Sequence, residues 1–228
     1  MSTTNAILHK IGSPFVNAAF VLTDSADLLV RCFLRLFKPP WRKNEIVFEI
    51  TKIGVGSLPI ISVSTAFAGL VISNEIAWHM DQALNSVSMI PGFTGQFILR
   101  ELGVAIPALL VVSKVGAAIT AEIGTMKVTD QIDALKLLGI HRVSYLVFPR
   151  WVATIISLVC LTAIATAITL FFAMSVAVLR YGFSVLEYVN MVQKFVGLGD
   201  MVCIFTKSAI FGAVIPVISC SYGLNCQG

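Results

Sequence analysis

Residues Trp151–Leu179 read WVATIISLVCLTAIATAITLFFAMSVAVL, a stretch without a charged side chain. The hydrocarbon core of a bilayer is roughly 30 Å thick, and about 20 apolar residues in a helix cross it. The stretch therefore predicts a membrane-spanning helix. Of the 228 residues, 57% are hydrophobic and only 12% are charged, with a mean hydropathy of +0.90. Soluble domains carry about 25% charged residues, so this composition excludes an ordinary cytosolic enzyme, a disordered chain and a DNA-binding domain.

The gaps between charged residues predict an all-α integral membrane protein with a single transmembrane domain over residues 1–228. Its four predicted spans cover residues 46–78, 82–118, 148–179 and 201–222. The apolar runs that define these spans cover residues 53–74, 82–113, 151–179 and 201–228, and only two of these runs contain charge: Arg100 and Glu101 in the second and Lys207 in the fourth.

The segment before the first span predicts an amphipathic helix over residues 11–38 that lies in the membrane surface. Charges such as Asp24 and Arg31 interrupt it, which argues against a signal peptide. Its apolar residues recur mostly at three- and four-residue steps, as one helix face requires: Phe15, Ala18, Ala19, Leu22, Ala26, Leu29, Phe33 and Leu36. The alternative is a fifth span in this segment.

The distribution of Lys and Arg predicts the orientation. Of the 16 basic residues, twelve precede the apolar run 53–74 or lie between the runs 82–113 and 151–179, whereas only Arg180 and Lys194 lie between the third run and the fourth. Cytoplasmic loops carry the excess of Lys and Arg, so we expect the N-terminus and the middle loop to be cytoplasmic.

The second span runs into the middle loop with small residues at four-residue intervals: Gly116, Thr120 and Gly124. Such spacing lets two helices approach closely. It is equally consistent with packing inside the chain and with an interface between subunits.

The middle loop itself predicts a cytoplasmic helix over residues 121–138. Asp133 and Lys136 are spaced to form an ion pair, and Gly139 suits the C-terminal cap. The acidic residues of this helix make it a poor ligand for anionic lipid, so its polar face favours docking to another protein.

The charges inside the predicted spans indicate a polar site. Arg100 lies roughly 20 Å from the cytoplasmic end of its span, and Lys207 lies about 10 Å below the outer surface. A charge in the bilayer normally faces a bundle interior or a wet cavity. We therefore expect a polar spot in an apolar cavity, with Glu101 and Lys207 as partners and a kink at Pro107 beside it. The alternative is structural, a snorkelling Arg or an ion pair that only fixes helix register.

The sequence shows neither a catalytic constellation nor a metal site. It has no phosphate-binding loop, no HExxH and no GxSxG motif. The cysteines form no CxxC pair, and we interpret them as packing residues: Cys32, Cys160, Cys203, Cys220 and Cys226. The histidines, His9, His79 and His141, are too scattered to form a ligand cluster.

Several blocks together resemble the MlaE (YrbE) family of ABC-transporter permeases. They are LRELG at Leu99–Gly103, GAAITAEIG at Gly116–Gly124, MKVTDQ at Met126–Gln131, FPR at Phe148–Arg150, and the segment from Asp200 to Lys207. The resemblance covers essentially the whole chain. Family members continue beyond Tyr222–Gly223 to a final span, so the resemblance implies that a fifth, C-terminal span is missing here.

The resemblance implies an inner-membrane permease that forms a homodimer. Its partners would be a cytoplasmic ATPase that binds ATP and Mg, a periplasmic ring of MCE-domain proteins and, in many systems, a STAS-domain subunit. The assembly would move phospholipid between the inner membrane and the MCE carrier and so maintain outer-membrane lipid asymmetry. The chain itself would hold no cofactor and would not be an enzyme.

The resemblance also assigns roles to residues of this sequence. Arg100, Glu101 and Lys207 look like the charged positions near the family's lipid cavity. The residues that resemble the coupling segment in the ATPase groove are Glu122, Ile123, Gly124, Met126, Lys127, Asp130 and Gln131.

Two other functions remain open from the residues alone. An ion-coupled carrier or channel would use Glu101 as its titrating group, and a scaffold would transport nothing. A neighbouring gene for an ATPase and another for an MCE-domain protein would favour the ABC permease over both.

Overall fold

Four long apolar helices form the bundle. The structure, a computed structural model, describes residues 21–36, 42–84, 87–139 and 143–226. Within these ranges, the helices long and apolar enough to cross a membrane are Lys43–Gln82, Ile90–Val128, Tyr145–Tyr181 and Leu198–Leu224, here called spans 1 to 4. The described residues contain helices and no strand, so the predicted all-α membrane fold is confirmed.

Within these ranges, three shorter α-helices connect or precede the spans, in addition to the 3-10 helix Val87–Met89. They are the N-terminal helix over residues 21–36, the loop helix Gln131–Leu137 between spans 2 and 3, and the surface helix Val185–Phe195 between spans 3 and 4. The end of the bundle that carries Lys52, Lys127 and Arg150 is called the basic end. The other end, with Trp78 and Arg180, is called the opposite end.

In the described residues, π-helical turns interrupt span 1 at Thr51–Val55 and span 2 at Ile98–Leu102 and Val112–Gly116, and another, Val143–Val147, lies at the start of span 3. The regular α-helical parts are Lys43–Ile50 and Gly56–Leu84 in span 1, Ile90–Phe97, Gly103–Val111 and Ala117–Val128 in span 2, Phe148–Tyr181 in span 3, and Leu198–Leu224 in span 4. Three of the π turns are followed within a few residues by Pro59, Pro107 or Pro149. Because proline cannot donate its backbone hydrogen bond, the ladder shifts register next to it.

Span 3 lies at the centre of the bundle. The hydroxyl of Ser73 in span 1 donates to the carbonyl of Ala173 at 3.1 Å, and the indole nitrogen of Trp151 donates to the carbonyl of Ala213 in span 4 at 3.0 Å. Its buried threonine hydroxyls donate to carbonyls four residues earlier: Thr154, Thr162, Thr166 and Thr169. The apolar interior therefore contains these hydroxyls without leaving them unpaired.

The N-terminal helix packs on the basic end of span 4. The Asp24 carboxylate accepts hydrogen bonds from the Ser221 hydroxyl at 2.8 Å and the Asn225 amide at 3.2 Å. Its buried line is Ser25, Leu28 and Cys32, with Cys32 completely covered. Burial raises the pKa of the Cys32 thiol to about 12.

Only part of the apolar face expected for this helix packs on the bundle: Leu29 and Leu36 lie against the buried core. Leu22 and Phe33 belong to the expected face but are 64% and 52% exposed. Phe15, Ala18 and Ala19 lie outside the described residues. The helix therefore turns exposed apolar side chains away from the bundle, as a helix in the membrane surface does.

The middle loop contains two helices where the sequence predicted one over residues 121–138. Span 2 continues to Val128, the chain turns at Thr129 and Asp130, and the loop helix begins at Gln131. Asp130 adopts a left-handed conformation with φ of 56°, which no helix interior tolerates. The predicted Asp133–Lys136 pair is present at 2.6 Å, and Gly139 has φ of +74° as a C-cap glycine requires.

Replacing Gly212 by Val is expected to destabilise the bundle, because spans 3 and 4 touch at this glycine. A Cβ atom there would lie 2.8 Å from the Ile155 Cα atom, which is backbone and cannot turn aside. Overpacking of this kind costs about 1–3 kcal/mol. Thermal unfolding in detergent measures the loss, and Gly56→Ala is the control because no atom lies within 4 Å of its Cβ. A Gly212→Val protein as stable as the wild type would contradict the packing.

Candidate functional site

A group of four charged side chains lies between spans 2 and 4. The Arg100 guanidinium donates from Nε to Asp200 Oδ1 at 2.6 Å. Lys207 Nζ donates to the Arg100 carbonyl at 2.7 Å and lies 3.4 Å from Glu101 Oε1. The expected partnership of Glu101 and Lys207 is therefore present. We call these four residues the charged group.

The local fold places the charged group in an otherwise apolar pair of helices. Arg100 and Glu101 belong to the π-helical turn Ile98–Leu102, which the chain completes before Pro107. Such turns inside α-helices are frequent at functional sites. The side chains of Arg100 and Glu101 face open space and are 55% and 63% exposed. The arrangement leaves cations and carboxylates accessible along the bundle surface, where they are able to bind a charged ligand group.

Asp200 is the member that sequence reasoning missed. It lies just before the predicted fourth span, residues 201–222, yet its side chain is only 10% exposed. Its Oδ2 also accepts the Gly197 backbone N–H at 3.0 Å, so it caps the start of span 4. A carboxylate three residues after the Gly197 cap was the available signal, but its distance from Arg100 depends on how spans 2 and 4 pack.

A second cluster joins three helices at the basic end. Arg150 Nη2 lies 2.8 Å from Glu122 Oε1, and its Nε lies 3.4 Å from Glu49 Oε1. Lys52 Nζ lies 3.1 Å from the other oxygen of Glu122. Arg150 is only 7% exposed, and its Nη1 has no hydrogen-bond partner in the described part of the chain. The cluster therefore ties the start of span 3 to spans 1 and 2.

A small cavity of about 250 Å³ adjoins this cluster. Met126 and Tyr145 line it together with Glu49, Glu122 and Arg150. The guanidinium of Arg42 lies 4.4 Å from the centre of the Tyr145 ring, a cation–π distance. The wall of the cavity is thus held in place by ionic and aromatic contacts.

The residues predicted to couple to an ATPase occupy different environments. Ile123 and Gly124 are buried, and Gly124 faces Cys226. Lys127 lies 3.6 Å from Asp133. Asp130 and Gln131 are exposed at the turn, and Met126 is partly buried. Among the predicted coupling residues, those at the turn, Asp130 and Gln131, are therefore the most accessible to a partner protein.

Apolar side chains beside that turn were not among the predicted coupling residues. Leu137 is 90% exposed, Leu138 is 74% exposed and Val128 is 58% exposed. Near them, the hydrogen bond from Lys136 and the charge of Lys127 lower the pKa of Asp133 below its usual value. Two consecutive leucines at the end of a polar loop were the only signal in the sequence, and it did not show that both side chains are exposed.

The small residues of span 2 face two ways. The Thr120 hydroxyl donates to the Ser219 carbonyl at 3.0 Å, and a Cβ at Gly116 would lie 3.0 Å from Ser219 Oγ. Gly116, Thr120 and Gly124 thus pack inside the chain against span 4, which is the first of the two alternatives. Ala117 and Ala121 are exposed in a neighbouring groove.

The cysteines and histidines give no metal site within the described residues. Cys32 and Cys220 are buried as predicted, but Cys160, Cys203 and Cys226 are exposed. The packing interpretation is wrong for Cys160 and Cys203, because they lie on the outward faces of their spans. His79 lies 3.5 Å from Glu75, whereas His9 and His141 lie outside the described residues.

Comparison with known proteins gives a consistent result. The family model described as "Permease MlaE" matches residues 46–228. A probable ABC transporter permease protein of Rickettsia bellii is 30% identical over 217 residues, covering 95% of this chain and 83% of the relative. One from Rickettsia typhi is 34% identical over 82% of this chain and 72% of its own length. One from Synechocystis is 30% identical over 92% of this chain and 78% of its own length.

Proposed function

This chain belongs to the MlaE permease family and is an ABC transporter permease; from that premise we propose that its cargo is phospholipid. The transporter moves this lipid between the inner membrane and a periplasmic carrier built from MCE domains, and so maintains the lipid asymmetry of the outer membrane. Membership of a permease family and four apolar spans support the proposal that the chain is a multi-pass membrane component of the transporter and that the partner ATPase is the enzyme.

The observation that carries the proposal is the charged group. Arg100 and Lys207 supply cations for a lipid phosphate, and Arg in particular binds phosphate through paired hydrogen bonds. Charges inside a membrane span are costly and usually serve a transported ligand or a wet cavity. The acyl chains then pack along the long apolar faces of the spans.

We propose that two copies of the chain enclose the lipid path. Arg100 and Glu101 are more than half exposed on one side of the bundle. A second copy related by a two-fold axis would convert this open face into a cavity.

The proposed energy source is a cytoplasmic ABC ATPase that binds ATP and Mg, since the permease family implies such a partner. We place its contact at the exposed turn and the neighbouring leucines: Val128, Asp130, Gln131, Leu137 and Leu138. A STAS-domain subunit is a further proposed partner on the same side. The excess of Lys and Arg supports a cytoplasmic location for the basic end, and with it for the N-terminus.

Replacing Glu122 by Lys is expected to uncouple ATP hydrolysis from lipid movement. In the wild type each oxygen of this carboxylate has its own cation, Arg150 or Lys52. A lysine would bring a third cation beside Arg150 and Lys52. Repulsion between these cations would push the start of span 3, which carries Arg150, away from the end of span 2 that leads into the proposed ATPase contact. We expect the purified complex to hydrolyse ATP while phospholipid transfer per ATP falls about tenfold or more, a change of about 1.4 kcal/mol.

The matched control is Glu187→Lys, a charge reversal on the surface helix at the opposite end. It is expected to leave transfer unchanged. Wild-type transfer per ATP in Glu122→Lys would contradict the coupling role.

A further inference from the structure

A second polar cavity lies at the opposite end of the bundle, between the ends of spans 1 and 3. Its volume is about 640 Å³, which falls within the usual range of ligand pockets, about 300–1,000 Å³. Ala77 and Ile90 form a closed floor, since each is 1% exposed. The charged group lies between spans 2 and 4, whereas the polar lining of this cavity comes from spans 1 and 3 and span 2 contributes only Ile90.

One wall of this cavity carries a cation without a carboxylate partner. Arg180, at the end of span 3, donates from Nη1 to the amide oxygen of Asn74 in span 1. Within the described ranges, no carboxylate lies within ion-pair distance of this guanidinium. The hydrogen bond to the neutral amide leaves the charge of Arg180 uncompensated. Four of its five N–H groups stay available, which suits a phosphate.

The facing wall carries the opposite charge and an aromatic ring. Glu75 and Asp81 line the cavity from span 1, and Glu75 is 65% exposed. Trp78 lies between them in sequence and is 54% exposed. An ammonium group binds well where carboxylates flank the face of a tryptophan.

We propose that this cavity binds the headgroup of a zwitterionic phospholipid, with its phosphate at Arg180 and its ammonium group at Glu75, Trp78 and Asp81. The proposal rests on the proposed function, because it takes phospholipid as the cargo. It adds a second headgroup site at the membrane surface and a preference for headgroups that contain an amine. The alternative role for these residues is anchoring, since Trp78 and Tyr181 suit the membrane interface. Anchoring alone would produce no preference between headgroups.

The test uses the whole complex in nanodiscs that contain equal amounts of phosphatidylethanolamine and phosphatidylglycerol. Native mass spectrometry then counts the lipids that stay bound to the wild type and to two variants. Arg180→Gln is expected to lower retention of both lipids about tenfold, because both have the phosphate. Glu75→Gln with Asp81→Asn is expected to remove a roughly three- to fivefold preference for phosphatidylethanolamine and to leave phosphatidylglycerol unchanged.

The matched control is Lys194→Gln, which removes a cation from the surface helix at the same end. It should retain both lipids as the wild type does. Soluble glycerophosphoethanolamine, which has the headgroup without acyl chains, is added as a competitor. Displacement of bound lipid at matched concentration supports the site and shows that it binds the free headgroup as well as the lipid. Thermal unfolding verifies that each variant is folded. Trp78→Phe keeps an aromatic face and should retain lipid as the wild type does, whereas Trp78→Ala should not.

Equal retention in Arg180→Gln and the wild type would overturn the inference, and so would a headgroup preference that survives in the carboxylate double variant. Either result leaves the proposed function standing if the wild-type complex still transfers phospholipid with ATP. Failure of the wild type to transfer any phospholipid would instead refute the proposed function.

Discussion

Replacing Lys207 by Glu is expected to abolish phospholipid transfer by the assembled transporter. In the wild type the ammonium group lies 2.7 Å from the Arg100 carbonyl and 3.4 Å from the Glu101 carboxylate. A glutamate would place a second carboxylate beside Glu101, next to a carbonyl oxygen, in a region of low dielectric. Like charges at such distances repel strongly there.

The same change removes one of the two cations that the proposal offers to a lipid phosphate. We therefore expect the transfer rate to fall by about a hundredfold, which corresponds to about 2.7 kcal/mol. Fluorescent phospholipid transfer from proteoliposomes measures the rate, with membrane insertion and complex assembly verified separately.

Two further variants separate repulsion from loss of the cation. Lys207→Met has a long apolar side chain without the charge, and it should also fail to transfer lipid if the ammonium group is what matters. Lys194→Glu is the control, because it reverses a charge at the same end but on the surface helix. Transfer at the wild-type rate in Lys207→Glu would refute the role of the charged group.

Replacing Arg150 by Ala is expected to produce the largest loss of stability. Its side chain is 7% exposed, and it is shared by Glu49, which is 14% exposed, and by Glu122. Removing one partner of a buried ion pair costs about 3–5 kcal/mol, because the remaining charge stays buried without compensation. Glu122 is 42% exposed and keeps Lys52, so Glu49 accounts for most of the loss.

Thermal unfolding in detergent tests this expectation directly. Arg31→Ala is the matched control, since Arg31 pairs with Asp27 at 2.7 Å but both side chains are more than half exposed. Exposed pairs contribute about 0–1 kcal/mol, so the control should lose little. Arg150→Lys keeps the charge but offers one compact ammonium group in place of the fork that reaches both carboxylates, and it should be intermediate. An Arg150→Ala protein no less stable than Arg31→Ala would contradict the cluster.

The spans and their charged exceptions followed from the sequence because they depend on local composition. An uncharged run such as residues 151–179 has few structural alternatives, and charges inside such runs stand out without any knowledge of packing. The partnership of Glu101 and Lys207 also followed, since counting residues gave both a similar depth.

Contacts between helices did not follow from the sequence. The pairing of Arg100 with Asp200 and the bridge from Arg150 to Glu49 join residues about a hundred positions apart, and their distances depend on how the helices pack. The break at Asp130 was missed because its left-handed backbone is a single-residue event inside an otherwise helical pattern. Exposure of Leu137 was likewise invisible, since periodicity does not tell which face of a short helix packs on the bundle.

The most direct test of the central claim is ATP-dependent phospholipid transfer by the purified complex. The permease is reconstituted with its ATPase in proteoliposomes that contain fluorescent phospholipid, and transfer to the soluble domain of an MCE protein is recorded. The proposed function predicts transfer that needs ATP and Mg, that stops in Lys207→Glu and that continues in Lys194→Glu. Transfer driven by an ion gradient without ATP, or no phospholipid transfer by an assembled complex that hydrolyses ATP, would contradict it.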